Sequence, residues 1–173
     1  MKIKKIELKD YKVFKGKRVF KFSDRLNLIS GPNGSGKTIL FNALRESIIS
    51  EVLGVKISLE GEIDDFKNNL ELIFIDEEQI RKSADAIQSL TNNMSLGDRS
   101  LLAFISILLR RVALKKNLPL VVDAHLFAIL DLQNRDLLLK IMLALKTQII
   151  LFEHDFKGIK GDKEYHLGIR DEN

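Results

Sequence analysis

Gly31-Pro32-Asn33-Gly34-Ser35-Gly36-Lys37-Thr38 spells G-x-x-x-x-G-K-[ST] between an apolar run and a helical pattern. Ahead of it, Leu26-Asn27-Leu28-Ile29-Ser30 alternates like a short strand; behind it, Ile39, Leu40, Ala43, Leu44 and Ile48 recur at helical spacing. The order is strand, loop, helix. Glycines let successive backbone N–H groups turn inward without Cβ clashes, so the loop can cradle phosphate oxygens at the positive end of a helix. In that arrangement Asn33, Gly34, Ser35, Gly36, Lys37 and Thr38 contact the nucleotide. Lys37 reaches the β- and γ-phosphates, and the Thr38 hydroxyl ligates Mg²⁺. The alternative is a glycine turn that caps a helix by accident. Such a match arises by chance in roughly one chain of this length in two hundred, and the strand before and helix after argue against accident.

Working outward, 173 residues suit one domain, spanning 1–173, and 45% hydrophobic residues supply a core. The chain has no cysteine, which removes disulfides and thiolate metal sites and suits a reducing compartment. No signal peptide and no apolar run of membrane-spanning length is visible, so a soluble cytoplasmic protein without a membrane partner is expected. Net charge is +4, unevenly spread: residues 1–21 carry nine Lys/Arg against Glu7 and Asp10, and residues 60–78 carry eight acids against Lys67. The basic N-terminus could track a nucleic-acid backbone. Equally, Lys2, Lys4, Lys5 and Lys9 could be the solvated side of an edge strand, charged to discourage edge pairing.

Residues 2–9 and 18–22 read as two strands with a turn near Gly16, forming a small antiparallel layer. The helix after Lys37 fades near Glu51, and Gly54 marks its end. Val55 to Ile63 alternates as a strand, Leu70 to Asp76 reads as a stronger one, and residues 80–91 suit a short helix. Asn92 to Asp98 breaks any helix; from Arg99 a dense apolar helix begins, of the kind that lies inside a structure. Leu120-Val121-Val122-Asp123 reads as a buried parallel strand ending in a carboxylate. A helix over 134–146, a strand over 148–152, His154 just beyond it, and an edge strand over 163–169 complete the pattern. The fold class is α/β, a mostly parallel sheet flanked by helices with a small N-terminal antiparallel layer. Strands ending in Ser30, Asp123 and Phe152 place the loop, a carboxylate and a histidine at the edge where such sheets bind ligands. Asp123 then fits the second nucleotide-site acid that holds Mg²⁺ through water.

Together these motifs resemble the ABC-type ATPase heads, and within them the SMC, RecF and SbcC-like branch of DNA-associated ATPases. Ile3-Lys4-Lys5-Ile6-Glu7-Leu8-Lys9-Asp10-Tyr11-Lys12-Val13-Phe14, a strand pair and GPNGSGKT are similar to that branch's N-terminal lobe, here residues 1–79. In residues 80–173, Met94-Ser95-Leu96-Gly97-Asp98 resembles the signature loop L-S-x-G-[EQ], Leu130-Asp131 the D-loop, and His154 the switch histidine. Gln79, with Gln88 as the alternative, matches the glutamine that senses Mg²⁺ and the attacking water. The resemblance implies a homodimer closed head to tail around two ATP–Mg²⁺, with Ser95 and Gly97 of one copy meeting the γ-phosphate held by Lys37 of the other. Double-stranded DNA and a nuclease or other DNA-processing partner are implied as well.

The chain departs from the family in places. The catalytic glutamate that follows the strand-end aspartate is replaced by Ala124, and losing a general base costs about 10²–10⁴ in rate. Three explanations stand: a substitution engineered to trap ATP, a natural chain that binds but scarcely turns over, or a base supplied elsewhere, with His125 nearest and Asp155 a further candidate. The intact remainder of the site favours the first. The interval from Asp123 to Asp131 is one residue longer than the family's, and Leu96 stands where a glycine is frequent. Only residues 80–94 occupy the place of the branch's coiled-coil arms. Either the arms are removed or the chain is naturally armless, and the lack of a Gly/Ser-rich joint favours the latter. The expected function is an ATP-driven dimerising head in repair, chromosome maintenance or defence. An ATP-sensing scaffold with little hydrolysis and a transporter's nucleotide-binding subunit are the alternatives.

Overall fold

A computed structural model of the chain describes residues 1–89, 93–114, 117–123, 130–154 and 159–168. Ala124, His125 and Asp155 lie outside the described residues.

The N-terminal residues form β1 (Lys2–Tyr11), β2 (Phe14–Lys21) and, after the first helix, β4 (Val55–Glu60). They make a three-stranded antiparallel sheet in the order β2-β1-β4. Ile3, Ile6 and Leu8 of β1 are fully buried. β1 is therefore the central strand, which corrects the edge-strand alternative for its lysines. Their charge is met within the layer: Lys2 and Lys4 bind Asp24, Lys4 also binds Glu60, and Glu7 lies between Lys5 at 2.6 Å and Lys17 at 3.0 Å. Hydrogen bonds from those two ammoniums hold the Glu7 carboxyl down at about 2, and lysine partners lower Asp24 and Glu60. Carboxylates depressed in the folded state add stability above their ordinary values and lose it on acidification. The melting temperature should thus fall as pH drops from 4.5, the ordinary glutamate value, toward about 2. A thermal melt series should show a smaller fall in Glu7→Gln, and added salt should weaken the effect because these pairs are solvent-screened.

The second sheet is parallel, in the order β5-β6-β7-β3-β8, built from β3 (Leu26–Ser30), β5 (Phe74–Ile75), β6 (Leu120–Val122), β7 (Ile149–Glu153) and β8 (Lys163–His166). Four of its strands are buried almost throughout, as the interior of a parallel sheet requires, while β8 at the edge is mostly exposed. The helix α1 (Lys37–Ile49) lays Leu40, Phe41, Leu44 and Ile48 into the core, and the Phe41 ring meets Phe74 and Phe152 edge-on at 5.6 and 5.8 Å. Gln148, 2% exposed, joins the two sheets: its Oε1 accepts the Ile3 amide, and its Nε2 donates to the Ile3 and Ser23 carbonyls.

Several boundaries differ from the sequence expectation: β2 starts four residues before the expected 18–22, α4 (Glu77–Gln88) three before the expected 80–91, and three further differences have a clear physical reason. The run 70–76 is not one strand. Leu70–Ile73 is a helical turn, α3, started by the Asn69 carbonyl, which accepts the Leu72 and Ile73 amides; only Phe74–Ile75 pair as β5. A continuous apolar run carries no period to separate the two. Before it, α2 (Ile63–Lys67) begins where the strand over 55–63 was expected to end, with Asp64 and Asp65 complementing its positive end. After α4 (Glu77–Gln88), the apolar helix α5 (Leu96–Ala113) starts three residues before Arg99, because Ser95 caps it. The last helix, α6 (Leu132–Ala144), is capped by Asp131.

Within α5, Arg111 is 6% exposed and donates to the carbonyls of Leu72, Leu118 and Pro119, fastening the helix to the segments that enter β5 and β6. Burial lowers its guanidinium to about 10, still cationic at neutral pH. Arg111→Leu takes the donor from three carbonyls and should cost about 3 kcal/mol. The urea midpoint reads this, and Arg111→Lys should recover part of it.

Candidate nucleotide site

The parallel sheet delivers the 31–38 segment as a loop between β3 and α1. Gly31 has φ +152°, and a Cβ there would lie 2.4 Å from the Leu167 carbonyl oxygen and 2.6 Å from Ser35 Oγ. Gly36 caps α1 with φ +98°, and a Cβ there would press on Val13 and Phe14 of the β1–β2 hairpin at 2.9 and 3.0 Å. Both positions need glycine, one for close approach and one also for its left-handed backbone. The first turn of α1 has no acidic residue and no side-chain cap, which leaves its amides to an anion. Asn33, Gly34 and Thr38 are exposed at the crown of the loop, while Ser35 is buried with an Oγ that has no hydrogen-bond partner among the described residues.

Lys37 is 7% exposed and folds back onto its own loop, donating to the Gly31 and Pro32 carbonyls. Burial lowers its pKa, and the carboxylates of Glu153 and Asp123 oppose that shift. Asp123, directly after β6, is 6% exposed, and its amide donates to the Ile75 carbonyl at the end of β5. Glu153 ends β7 in register with Ser30, from which the loop departs. Lys37, Asp123 and Glu153 therefore meet at the carboxyl ends of three adjacent strands, the edge where open parallel sheets bind ligands.

Sequence comparison matches residues 5–52 to a family described as an AAA domain. No curated protein matches the chain. Among solved structures, an SMC head domain from Thermotoga maritima superposes with a TM-score of 0.60 at 19% identity, covering 90% of each chain. The cbiO1 protein of Clostridium perfringens, part of the ABC transporter complex cbiONQ, superposes with a TM-score of 0.56 at 18% identity, covering 87% of this chain and 78% of that one. The fold is that of an ABC-type ATPase head.

Elsewhere in this fold, Ser95 stands exposed at the start of α5; its hydroxyl donates to Asp98 Oδ2 at 2.7 Å and accepts the Asp98 amide. Gly97 is half-buried within the helix's first turn. Asn134 Nδ2 reaches both Asp98 Oδ1 and Asp131 Oδ2 at 3.1 Å, so the Ser95 segment and the Asp131 cap of α6 are tied together. Gln79 sits in the first turn of α4, but its Nε2 donates to the Glu71 carbonyl, so its amide is turned toward α3 in this state. Gln88 is exposed at the far end of α4. His154 is exposed just past β7.

Sequence reading missed Glu153 and Asn134. Glu153 fell beyond the predicted end of its strand, and nothing in a lone Glu marks burial. It also missed a cavity of about 640 Å³ beside the loop, whose walls include Phe14, Arg18, Phe20, Ser35, Tyr165 and His166. Those residues come from β2, the phosphate loop and β8; β2 and β8 lie over 130 positions apart in sequence, and only the tertiary fold unites them.

The donors suit Mg²⁺: an exposed threonine hydroxyl and a buried aspartate, with no cluster of three metal-binding side chains among the described residues. Two oxygen donors are fewer than Mg²⁺ takes, so any such ion would draw its other ligands from water or a bound anion.

Proposed function

We propose that this chain is an ATP-binding and ATP-hydrolysing head that pairs with a second copy around two ATP–Mg²⁺ and drives a DNA-associated process in repair, chromosome maintenance or defence. The carrying observation is a site in two halves. The Lys37 cradle lies at the edge of the parallel sheet, and the Ser95 segment stands exposed on another element, with no hydrogen bond joining them among the described residues. A triphosphate held by one copy can be neutralised fully only when donors from the other converge on it.

On binding, the loop amides and Lys37 take the phosphates, Lys37 leaving the carbonyls of Gly31 and Pro32. The nucleoside takes the adjoining cavity, whose walls include Phe14, Arg18, Phe20 and Tyr165. Thr38 and Asp123 hold Mg²⁺, which when bound offsets phosphate charge beside the two buried carboxylates. Ser95 and Gly97 of the partner close the open side and exclude water from it, with His154 and Gln79 at the rim.

The DNA part leans on the resemblance to the SMC-type head more than on basic charge, since Lys2, Lys4, Lys5 and Lys17 are matched by acids of their own layer. One alternative is favoured by a specific residue: Ala124, after Asp123, supports an ATP-sensing scaffold that pairs but hydrolyses little. Mass in solution tests the shared core of both readings. ATP–Mg²⁺ should double it, and Ser95→Arg should keep the chain monomeric while still binding ATP. An unchanged mass at saturating ATP would overturn the pairing.

A further inference from the structure

A carboxylate removed from water is costly unless compensated. Glu153 is 6% exposed, beside the departure of the phosphate loop. Its Oε1 accepts the His154 amide at 2.9 Å. Its Oε2 is buried without a hydrogen bond among the described residues, 3.7 Å from Nη2 of Arg135. A guanidinium–carboxylate hydrogen bond closes to about 2.8 Å, so the pair holds roughly 1 Å of slack. Arg135, from the first turn of α6, pairs loosely with this carboxylate, and Lys37, bonded to the Gly31 and Pro32 carbonyls just past the Ser30 that lies in register with Glu153, feels its charge without pairing with it. Arg135 follows Asn134, which grips Asp98, and Asp98 in turn holds the Ser95 hydroxyl. Neighbouring residues on one helical turn thus face the two halves of the site.

We propose that Glu153 and Arg135 are positioning residues coupling the phosphate site to the Ser95 edge: filling the loop draws Lys37 toward phosphate, Glu153 closes onto Arg135, and α6 carries that movement through Asn134 and Asp98 to Ser95. This deepens the ATP reading above and rests on it. The direction follows from electrostatics in a poorly solvated place. A carboxylate that loses one cation binds the remaining one more tightly. Packed helices move as units, so closure of a loose ion pair at the start of α6 displaces Asn134 with it. Asp98 is the point of delivery, because Ser95 must release its hydroxyl from Asp98 before that hydroxyl can donate to a phosphate.

The test compares the unaltered full chain with Glu153→Gln, Arg135→Lys and the double variant Glu153→Gln/Arg135→Gln, which removes both charges of this pair. Two quantities are read: affinity for a fluorescent ATP analogue under conditions that keep the chain monomeric, and the ATP concentration at half-maximal pairing. Glu153→Gln removes a negative charge beside the triphosphate, so monomer affinity should rise by about threefold or more. Pairing should nevertheless require about fivefold more ATP, because the coupling is lost. Arg135→Lys should lie between, and the double variant should match Glu153→Gln rather than add to it. A purely structural role would shift melting temperature and move both readouts the same way. Parallel changes, or none, in a folded Glu153→Gln overturn the coupling. If the unaltered chain fails to bind the analogue at all, the ATP reading itself falls, and the coupling with it.

Discussion

Lys37→Ala should weaken ATP binding at least about a hundredfold, the scale expected when one partner of a desolvated charge pair is truncated. The structure gives two reasons for so large an effect. The ammonium is the cation at the focus of the loop, and its loss also leaves Asp123 and Glu153 facing a triphosphate with less to offset them. Lys37→Met, which keeps the length, should fail equally, marking charge rather than packing as the cause. In the empty protein the sign is different. Burial outweighs the two carboxylates and lowers the Lys37 pKa below its ordinary 10.5. A lysine lowered in the folded state binds fewer protons there than in the unfolded chain, so its contribution to stability increases as pH rises through the window ending near 10.5. Lys37→Met should therefore fold normally at neutral pH, and calorimetry without nucleotide checks this. In the unaltered chain, ATP affinity should decline as pH rises into that window and the ammonium is lost. In Lys37→Met this decline should disappear.

The loop and its flanking elements were legible because each part has its own local signal: alternation before Ser30, glycines where the backbone turns, helical spacing after Lys37. Asp123 was legible by position, as a carboxylate at the end of an apolar strand. The central strand β1 was harder to place, because lysines on the solvated face of a central strand and on an edge strand leave the same alternation. Only pairing partners distinguish them, and β4 arrives more than forty residues later.

The start of α5 shows how a cap can hide in plain sight. Ser95-Leu96-Gly97-Asp98 contains a glycine and two turn-forming residues, and the stretch reads as a break. The serine and aspartate instead bond reciprocally across the first helical turn, the side-chain arrangement that opens a helix. The same residues start the helix that fills the core with Leu101, Phe104 and Leu108, and they leave Ser95 on the surface. Glu153, Arg135 and Asn134 were illegible for a different reason. Their meaning lies in which of them are buried and which strand or helix they face, and an isolated Glu, Arg or Asn carries no such mark.

Ala124→Glu should raise ATP turnover by about 10²–10⁴-fold, measured as steady-state phosphate release. The Asp123 amide donates a hydrogen bond to the Ile75 carbonyl and its carboxylate acts on Lys37, so the sheet edge is in place up to the residue before position 124. What the sequence lacks there is a group to take a proton from water. A glutamate supplies one, whereas Ala124→Gln offers similar bulk and polarity without the base and should leave the rate unchanged. The comparison also separates the two readings of function. If Ala124→Glu hydrolyses and then releases its partner, the chain is an ATPase head whose cycle stops at the chemical step. If it stays inactive while ATP still doubles the mass, pairing is the function and the scaffold reading holds. A third result, an unaltered chain already as fast as Ala124→Glu, would mean that another group carries the proton. The search would then turn to His125 and Asp155, whose single substitutions should abolish that rate if either is the base.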